Sequence, residues 1–207
     1  MSRLHKAENA TDNRVRVHQQ ERVQQANGTG KNHQEDEVMA QYPKIDHMAY
    51  RVKDRQEASK FFQDVLGYTV EAEFDINFDN GSTAKCEALV GPVLEVTLIN
   101  EGPEIFISDG SLGSVVGDWV ADRNGTGGIH HIAYRVKDID EIFSEWKNKG
   151  IEFLTEDVID CPEDKLRQIF TKPLINLGGV IIELIERGEK GFCQNSVKRL
   201  MESTKGS

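Results

Sequence analysis

An internal repeat constrains this sequence more than any other feature. Residues 45–54 read IDHMAYRVKD and residues 129–138 read IHHIAYRVKD, so eight of the ten positions are identical. Chance does not produce such a match in a chain of 207 residues. The chain therefore contains two copies of one structural module, and both copies begin in the same way.

Each copy alternates apolar and polar residues, as a strand does, and then reaches an aspartate suited to cap a helix, Asp54 or Asp138. In the first copy a helical pattern follows and ends at Gly67. Three strand-like segments come next in each copy: YTVEAEFDI, TAKCEALV and VLEVTLI in the first, and IEFLTEDVI, KLRQIFT and GVIIELIE in the second. The pattern predicts an α+β fold built from two paired βαβββ modules. The predicted apolar face of the first helix consists of Ala58, Phe61, Phe62, Val65 and Leu66.

The same pattern divides the chain into five segments. The first, residues 1–42, is rich in Gln, Asn, His, Glu and Arg, and is predicted to be a disordered polar tail because it can bury little apolar area. The others are a first module at 43–102, a connecting loop with a short helix at 103–127, a second module at 128–187, and a C-terminal lid helix and tail at 188–207.

Charge and composition exclude several classes of partner. The formal net charge of -10 argues against a protein that binds nucleic acid or an anionic membrane surface. No run approaches 18 apolar residues, and the N-terminus lacks the apolar stretch of a secretory signal. The three cysteines, Cys86, Cys161 and Cys193, are widely spaced and are expected to be free thiols in a reducing cytoplasm.

Three histidines lie outside the predicted tail: His47, His130 and His131. His47 and His131 occupy the same repeat position, and equivalent strands of a pseudo-twofold pair project equivalent side chains toward one shared cavity. Two such histidines suit Zn, Fe, Ni or Co. His130 has the opposite parity, so on a regular strand it would point away from His131.

Two carboxylates are candidates to complete the metal site. Glu183 lies in the apolar run VIIELIE, where a buried carboxylate is costly unless it is paired or bound to a metal. In the first copy the candidate is Glu95 in PVLEVTLIN, although alternation could also place it on the outer face. Asn100 follows five positions later, so on a regular strand Glu95 and Asn100 face opposite sides. The sequence leaves open which of the two faces the metal.

The repeat, the module pattern and the trio His47, His131 and Glu183 resemble the vicinal oxygen chelate superfamily. Its members include glyoxalase I, methylmalonyl-CoA epimerase, extradiol dioxygenases and 4-hydroxyphenylpyruvate dioxygenase. The resemblance covers about residues 44–202. It implies a cupped mixed sheet around one divalent metal, which a small-molecule substrate chelates through neighbouring oxygens. Module pairing within one chain and pairing across a homodimer both suit this superfamily.

One branch of the resemblance leads to oxygen chemistry. The segments RQIFTKPL and GFCQNSVKRLMES are similar to the end of the catalytic half of 4-hydroxyphenylpyruvate dioxygenase. By this resemblance Gln168, Phe170 and Phe192 line the substrate pocket, and Asn100 joins them. The metal would be Fe(II) in a two-His-one-carboxylate site, with positions left open for a 2-oxo acid and O2. A dioxygenase-like enzyme acting on a small 2-oxo acid is the favoured expectation.

A second branch leads to proton chemistry. GGIHHIAYRV and GGVIIEL resemble methylmalonyl-CoA epimerase, and LEVT resembles a strand of glyoxalase I. Here Glu95 would be a fourth ligand, and Zn, Co, Ni, Mn or Mg would stabilise an enolate as a Lewis acid. A non-enzymatic small-molecule binding module of the same fold is a further alternative, against which the presence of both histidines speaks. The number of protein ligands separates the two enzyme hypotheses.

Overall fold

A computed structural model describes residues 43–92, 102–162, 165–188 and 194–206. The predicted tail at residues 1–42 lies outside this part of the chain. In the first half the elements are β1 (Lys44–Val52), α1 (Arg55–Leu66), β2 (Thr69–Asn77), β3 (Thr83–Val90), β4 (Glu104–Gly110) and α2 (Val115–Asp122). In the second half they are β5 (Gly127–Arg135), α3 (Ile139–Asn148), β6 (Ile159–Cys161), β7 (Leu166–Phe170), a 3-10 turn (Ile175–Leu177), β8 (Ile181–Arg187) and α4 (Gln194–Ser203).

The eight strands form one curled mixed sheet in the order β2-β3-β4-β1-β5-β8-β7-β6. Each half has the order strand, helix, three strands. From the centre of the sheet outward, the strands of the first half follow the order β1, β4, β3, β2, and those of the second half follow the equivalent order β5, β8, β7, β6. The pairs β1–β4 and β5–β8 are parallel, and the other neighbours are antiparallel. The predicted α+β class with two paired βαβββ modules is confirmed, and β1 and β5 join the modules within a single chain.

The two repeat copies begin their helices with the same cap. Asp54 accepts a hydrogen bond from the Glu57 backbone N–H at 2.9 Å, and Asp138 accepts one from the Glu141 N–H at 3.0 Å. Each cap satisfies a donor that the first turn of a helix leaves unpaired. The first helix ends where Gly67 adopts φ 73°, a conformation that only glycine enters without strain.

The apolar face predicted for α1 is only partly correct. Ala58 and Phe62 pack against the buried residues of β3 and β4, whereas Phe61, Val65 and Leu66 are exposed. The helix instead turns Arg55 inward, where its guanidinium lies 3.0 Å from the Glu87 carboxylate. The face of the helix that contacts the sheet therefore includes Arg55, and it differs from the face that the apolar residues alone predict.

The strand that completes the first module differs from the one predicted. The segment VLEVTLI lies outside the described residues, and β4 lies within residues 103–127, where the sequence pattern predicts a loop and a short helix. Ile105, Phe106 and Ile107 are all buried, because a strand with parallel pairing inside a sheet is covered on both faces and shows no alternation. The first module therefore extends to Gly110, and α2 supplies the short helix of the connection.

Two further segments bear on the site. In the second module, residues 151–158 are mostly irregular and β6 is limited to Ile159–Cys161, so the predicted strand IEFLTEDVI is much shorter than expected. At the C-terminus, α4 buries Val197, Leu200 and Met201 against the sheet, as its amphipathic pattern indicates. Within the described residues, no helix has the length and apolar character needed to cross a membrane.

Candidate metal centre

Two buried side chains and one partly buried side chain converge at the centre of the sheet. His47 Nε2 lies 3.2 Å from His131 Nε2, and Glu183 Oε2 lies 3.3 Å from the first and 3.1 Å from the second. His47 and Glu183 are only 2% and 1% exposed. In the described part of the chain, this is the one group of three His, Cys, Asp or Glu side chains whose ligand atoms lie close enough together to hold one ion.

The spacing of the three ligand atoms fits a divalent metal. Atoms bound at about 2.1 Å from one ion lie about 3.0 Å apart on an octahedral face and about 3.4 Å apart in a tetrahedron. The observed separations of 3.1 to 3.3 Å fall between these values. The second carboxylate oxygen of Glu183 is buried without a hydrogen-bond partner among the described residues, and an ion would satisfy it as well. Two imidazole nitrogens and one carboxylate suit Fe, Zn, Co, Ni or Mn.

The register of the strands explains why these residues meet. β1 and β5 are antiparallel neighbours, with His47 opposite Ala133 and Ala49 opposite His131. β8 runs parallel to β5 and places Glu183 opposite Ala133. Both alanines are buried, and their short side chains leave room for the two imidazoles and the carboxylate.

Two β-bulges add a neighbour to each histidine. The pairing of β1 with β5 skips Asp46 on one strand and His130 on the other, and these two residues occupy the same repeat position. A bulged residue shares a side of the sheet with its neighbour. The prediction that His130 points away from His131 is therefore wrong, because their Nδ1 atoms lie 2.8 Å apart.

Asp46 holds His47 in a defined orientation. His47 Nδ1 donates to Asp46 at 2.9 Å, which leaves Nε2 directed at the other two ligands. Arg135 and Arg187 donate to the same carboxylate at 2.7 and 2.6 Å, so its charge is neutralised although it is buried. Such a partner fixes the tautomer and the ring orientation of a metal-binding histidine.

Coupling among the three ligands shifts their pKa values strongly. Burial disfavours the charged form of His47, but the carboxylates of Glu183 and Asp46 outweigh it and raise the pKa of His47 to about 9. Burial also opposes the charge of Glu183, yet His47 and His131 lower the pKa of Glu183 to about 2. A proton on His47 therefore balances the carboxylate in the metal-free chain, and a metal ion would take its place.

The other two imidazoles are held neutral. Burial lowers the pKa of His131, and the charges of His47 and Arg51 lower it further despite the neighbouring Glu183. Burial, together with Arg51 and His131, lowers the pKa of His130 well below its ordinary value. A neutral His131 has a lone pair ready for a metal.

Phe106 occupies the place in the first module that Glu183 occupies in the second. Ala49 and Ala133 are equivalent repeat positions, and their partners in the parallel strands are Phe106 and Glu183. The first module thus presents an aromatic ring where a symmetric site would present a fourth ligand. Glu95, the predicted fourth ligand, lies outside the described residues.

The cavity next to the three ligands is largely apolar. The side chains of Ala49, Phe106, Phe170, Val197, Leu200 and Met201 border it together with the ligands. Phe170, a predicted pocket residue, borders this cavity and contacts the His131 ring at a centroid distance of 5.0 Å. Gln168 lies two residues before Phe170 on β7 and is fully buried, and its amide has no hydrogen-bond partner among the described residues. It is not among the side chains that border the cavity. Asn100 and Phe192 lie outside the described residues.

One charged cavity residue was not predicted from the sequence. Arg51 borders the cavity on the same strand face as His47, and it is 3% exposed. The repeat itself contains the signal, because AYRV places an arginine four residues after each metal-site histidine. Because the repeat is identical at both positions, the sequence does not show that the two arginines have different neighbours.

The fold and the three ligands define a vicinal oxygen chelate protein. The chain belongs to the glyoxalase/bleomycin resistance protein/dioxygenase superfamily, whose family model matches residues 46–165. The resemblance that the sequence suggests is confirmed.

Relatives of two kinds accompany the family match. Mitochondrial methylmalonyl-CoA epimerase of Mus musculus is 29% identical over 141 residues, covering 68% of this chain and 71% of the relative. The crystal structure of methylmalonyl-CoA epimerase from Mycobacterium tuberculosis has a TM-score of 0.53 at 27% identity, covering 70% of this chain and 87% of that one. A mutant 4-hydroxymandelate synthase from Streptomyces coelicolor gives a TM-score of 0.66 at 18% identity, which shows the fold alone. The match covers 79% of this chain and 53% of the synthase.

Proposed function

We propose that this protein is a metal-dependent enzyme of the dioxygenase-like type, with His47, His131 and Glu183 as a facial triad for Fe(II). Its substrate is a small 2-oxo acid or a similar chelating molecule, and O2 is the second reactant. The observation that carries this proposal is Phe106, which stands where the module symmetry would otherwise supply a fourth ligand. Three protein ligands leave about three positions for the two oxygens of the substrate and for O2.

The described residues have separate tasks in this proposal. The metal, when bound, supplies the one-electron chemistry that O2 requires. Asp46 and His130 orient the two imidazoles, and each lies within 2.9 Å of its histidine. Phe106 and Phe170 keep water from the reacting centre, and the apolar face of α4 covers the cavity. Asn100 and Phe192, beyond the described residues, remain proposed substrate contacts, whereas Gln168 does not border the cavity and is proposed only on the family resemblance.

A second candidate function has its own support. The relatives at 27 to 29% identity named above are methylmalonyl-CoA epimerases, so an epimerase-like or glyoxalase-like proton transfer is the alternative. In this case the ion would polarise a carbonyl, and Co, Ni, Zn, Mn or Mg would serve. The reaction also needs a general base close to the substrate and suits a fourth ligand such as Glu95.

Oxygen separates the two functions. Protein purified without air should contain iron, and the iron form should consume O2 when it is supplied with members of a panel of 2-oxo acids. Solvent-deuterium exchange into methylmalonyl-CoA, measured without O2 and with Co in the site, tests the alternative. Exchange under these conditions without any O2 consumption by the iron form would replace the dioxygenase-like function by the epimerase-like one.

A further inference from the structure

A buried arginine borders the candidate metal cavity without a negatively charged partner among the described residues. Arg51 donates from one Nη atom to the Thr204 hydroxyl at 2.7 Å, and its other Nη atom is buried with no hydrogen-bond partner in that part of the chain. In the described part of the chain, no carboxylate forms an ion pair with this guanidinium. A buried cation without a partner is costly, so its position in a cavity points to a missing anion.

The other groups around Arg51 do not replace that anion. The Trp119 ring centroid lies 5.7 Å from the guanidinium carbon, and Arg123 stacks on the same ring at 3.6 Å. Burial, followed by the positive charge of Arg123, lowers the pKa of Arg51 to about 9. The guanidinium still carries its charge at physiological pH, and the described groups around it leave that charge uncompensated.

The equivalent arginine in the second module has the partner that Arg51 lacks. Arg135 occupies the same repeat position as Arg51, and it is bound to Asp46 at 2.7 Å. The residue equivalent to Asp46 is His130, whose pKa is lowered first by burial and then by the charge of Arg51. The repeat thus keeps both arginines but supplies a carboxylate to only one of them.

We propose that Arg51 binds an acidic group of the substrate at the end remote from the metal. This inference rests on the proposed function and narrows the substrate class to small 2-oxo acids that carry a second carboxylate. His47 and Arg51 lie on one face of β1, and their Cα atoms are roughly 13 Å apart along the strand. Both side chains border the same cavity, so one short molecule can reach the metal and the guanidinium together.

A matched pair of ligands tests the proposal on protein loaded with Co(II). By calorimetry, 2-oxoglutarate should bind at least about tenfold more tightly than 2-oxohexanoate, since an ionic hydrogen bond is lost with the second carboxylate. Arg51→Gln should remove this preference without changing metal content or the affinity for 2-oxohexanoate, and Arg51→Lys should restore part of it. An equal preference in wild type and Arg51→Gln would overturn the proposal.

A metal-free measurement separates this inference from the proposed function. Glutarate, which has no oxo group to chelate a metal, should raise the Tm of metal-free wild type but not of Arg51→Gln. His130→Asp retains Arg51 and gives it the kind of partner that Arg135 has, so it should also abolish the shift. A glutarate shift that persists in both variants refutes the role of Arg51. A shift confined to wild type supports that role even if no O2 is consumed.

Discussion

The two modules share a scaffold and differ in the chemistry that they contribute. Their first strands carry His47 and His131 at one repeat position, and their helices begin at the equivalent caps. Around this frame the second module contributes Glu183 where the first contributes Phe106. The difference teaches that the scaffold is symmetric while the candidate metal centre is not, with one candidate ligand from the first module and two from the second.

A similar difference separates the partners of the two histidines. His47 is held by a carboxylate, Asp46, whereas His131 is held by a neutral imidazole, His130. The bulges that place these partners are equivalent, so the residue type alone makes the difference. Substitutions at paired positions can therefore test each element of the asymmetry.

The largest effect is expected from the ligands of the second module. His131→Ala or Glu183→Ala leaves two ligands and should abolish both metal binding and activity, because two ligands do not define a closed site. Metal content per chain after dialysis measures this effect. The control is Phe106→Leu, at the position of the first module that is equivalent to Glu183, and this variant should keep its metal. Full metal content in His131→Ala would contradict the assignment of the metal site.

Restoring symmetry should change the chemistry rather than remove the metal. Phe106→Glu offers a fourth ligand, so the metal should be retained while O2 consumption with 2-oxo acids is lost for lack of an open position. A buried, unpaired carboxylate should also lower the Tm of the metal-free variant, and metal addition should raise it again. Unchanged O2 consumption would show that the side chain at position 106 does not reach the metal.

An intermediate effect is expected at the partner of His47. Asp46→Asn should reduce metal affinity by about 10- to 100-fold, because the amide no longer neutralises Arg135 and Arg187 or fixes the imidazole. Competition with a chelator of known affinity measures the loss. His130→Gln in the other module keeps a neutral hydrogen-bonding group and should cost less. An equal loss of metal affinity in both variants would mean that the charge of Asp46 does not contribute to metal binding.

The smallest effects are expected where the modules are alike. Asp54→Ala and Asp138→Ala each remove a helix cap and should each lower the free energy of unfolding by about 1 kcal/mol. Urea denaturation measures both. Metal content should not change, since neither side chain touches the site. A large difference between the two values would show that the helices contribute unequally to the fold.

The sequence predicted the module repeat and the paired candidate ligands His47 and His131 because those residues recur at matched positions, and it singled out Glu183 because a carboxylate stands there in an apolar run. The sequence did not predict the burial or the orientation of residues that depend on a neighbouring strand. Phe106 lies in a strand buried on both faces, and such a strand lacks the alternation that marks an edge or surface strand. His130 is turned by a bulge, which needs a pairing partner to exist at all. Arg51 became informative only when the environments of the two arginines could be compared.

The ligands come from both ends of the folded part, which has a consequence for the timing of synthesis. Among the described elements, β1 leaves the ribosome first and β8 nearly last. Asp46 meets Arg135 and Arg187 only after both have emerged, and His47 meets Glu183 equally late. An ion held by all three side chains would therefore bind too late to assist the nascent first module, which has to fold by burial of its own apolar residues. Loading of such an ion would follow synthesis of the chain, so the cellular supply of the ion would act after translation has ended.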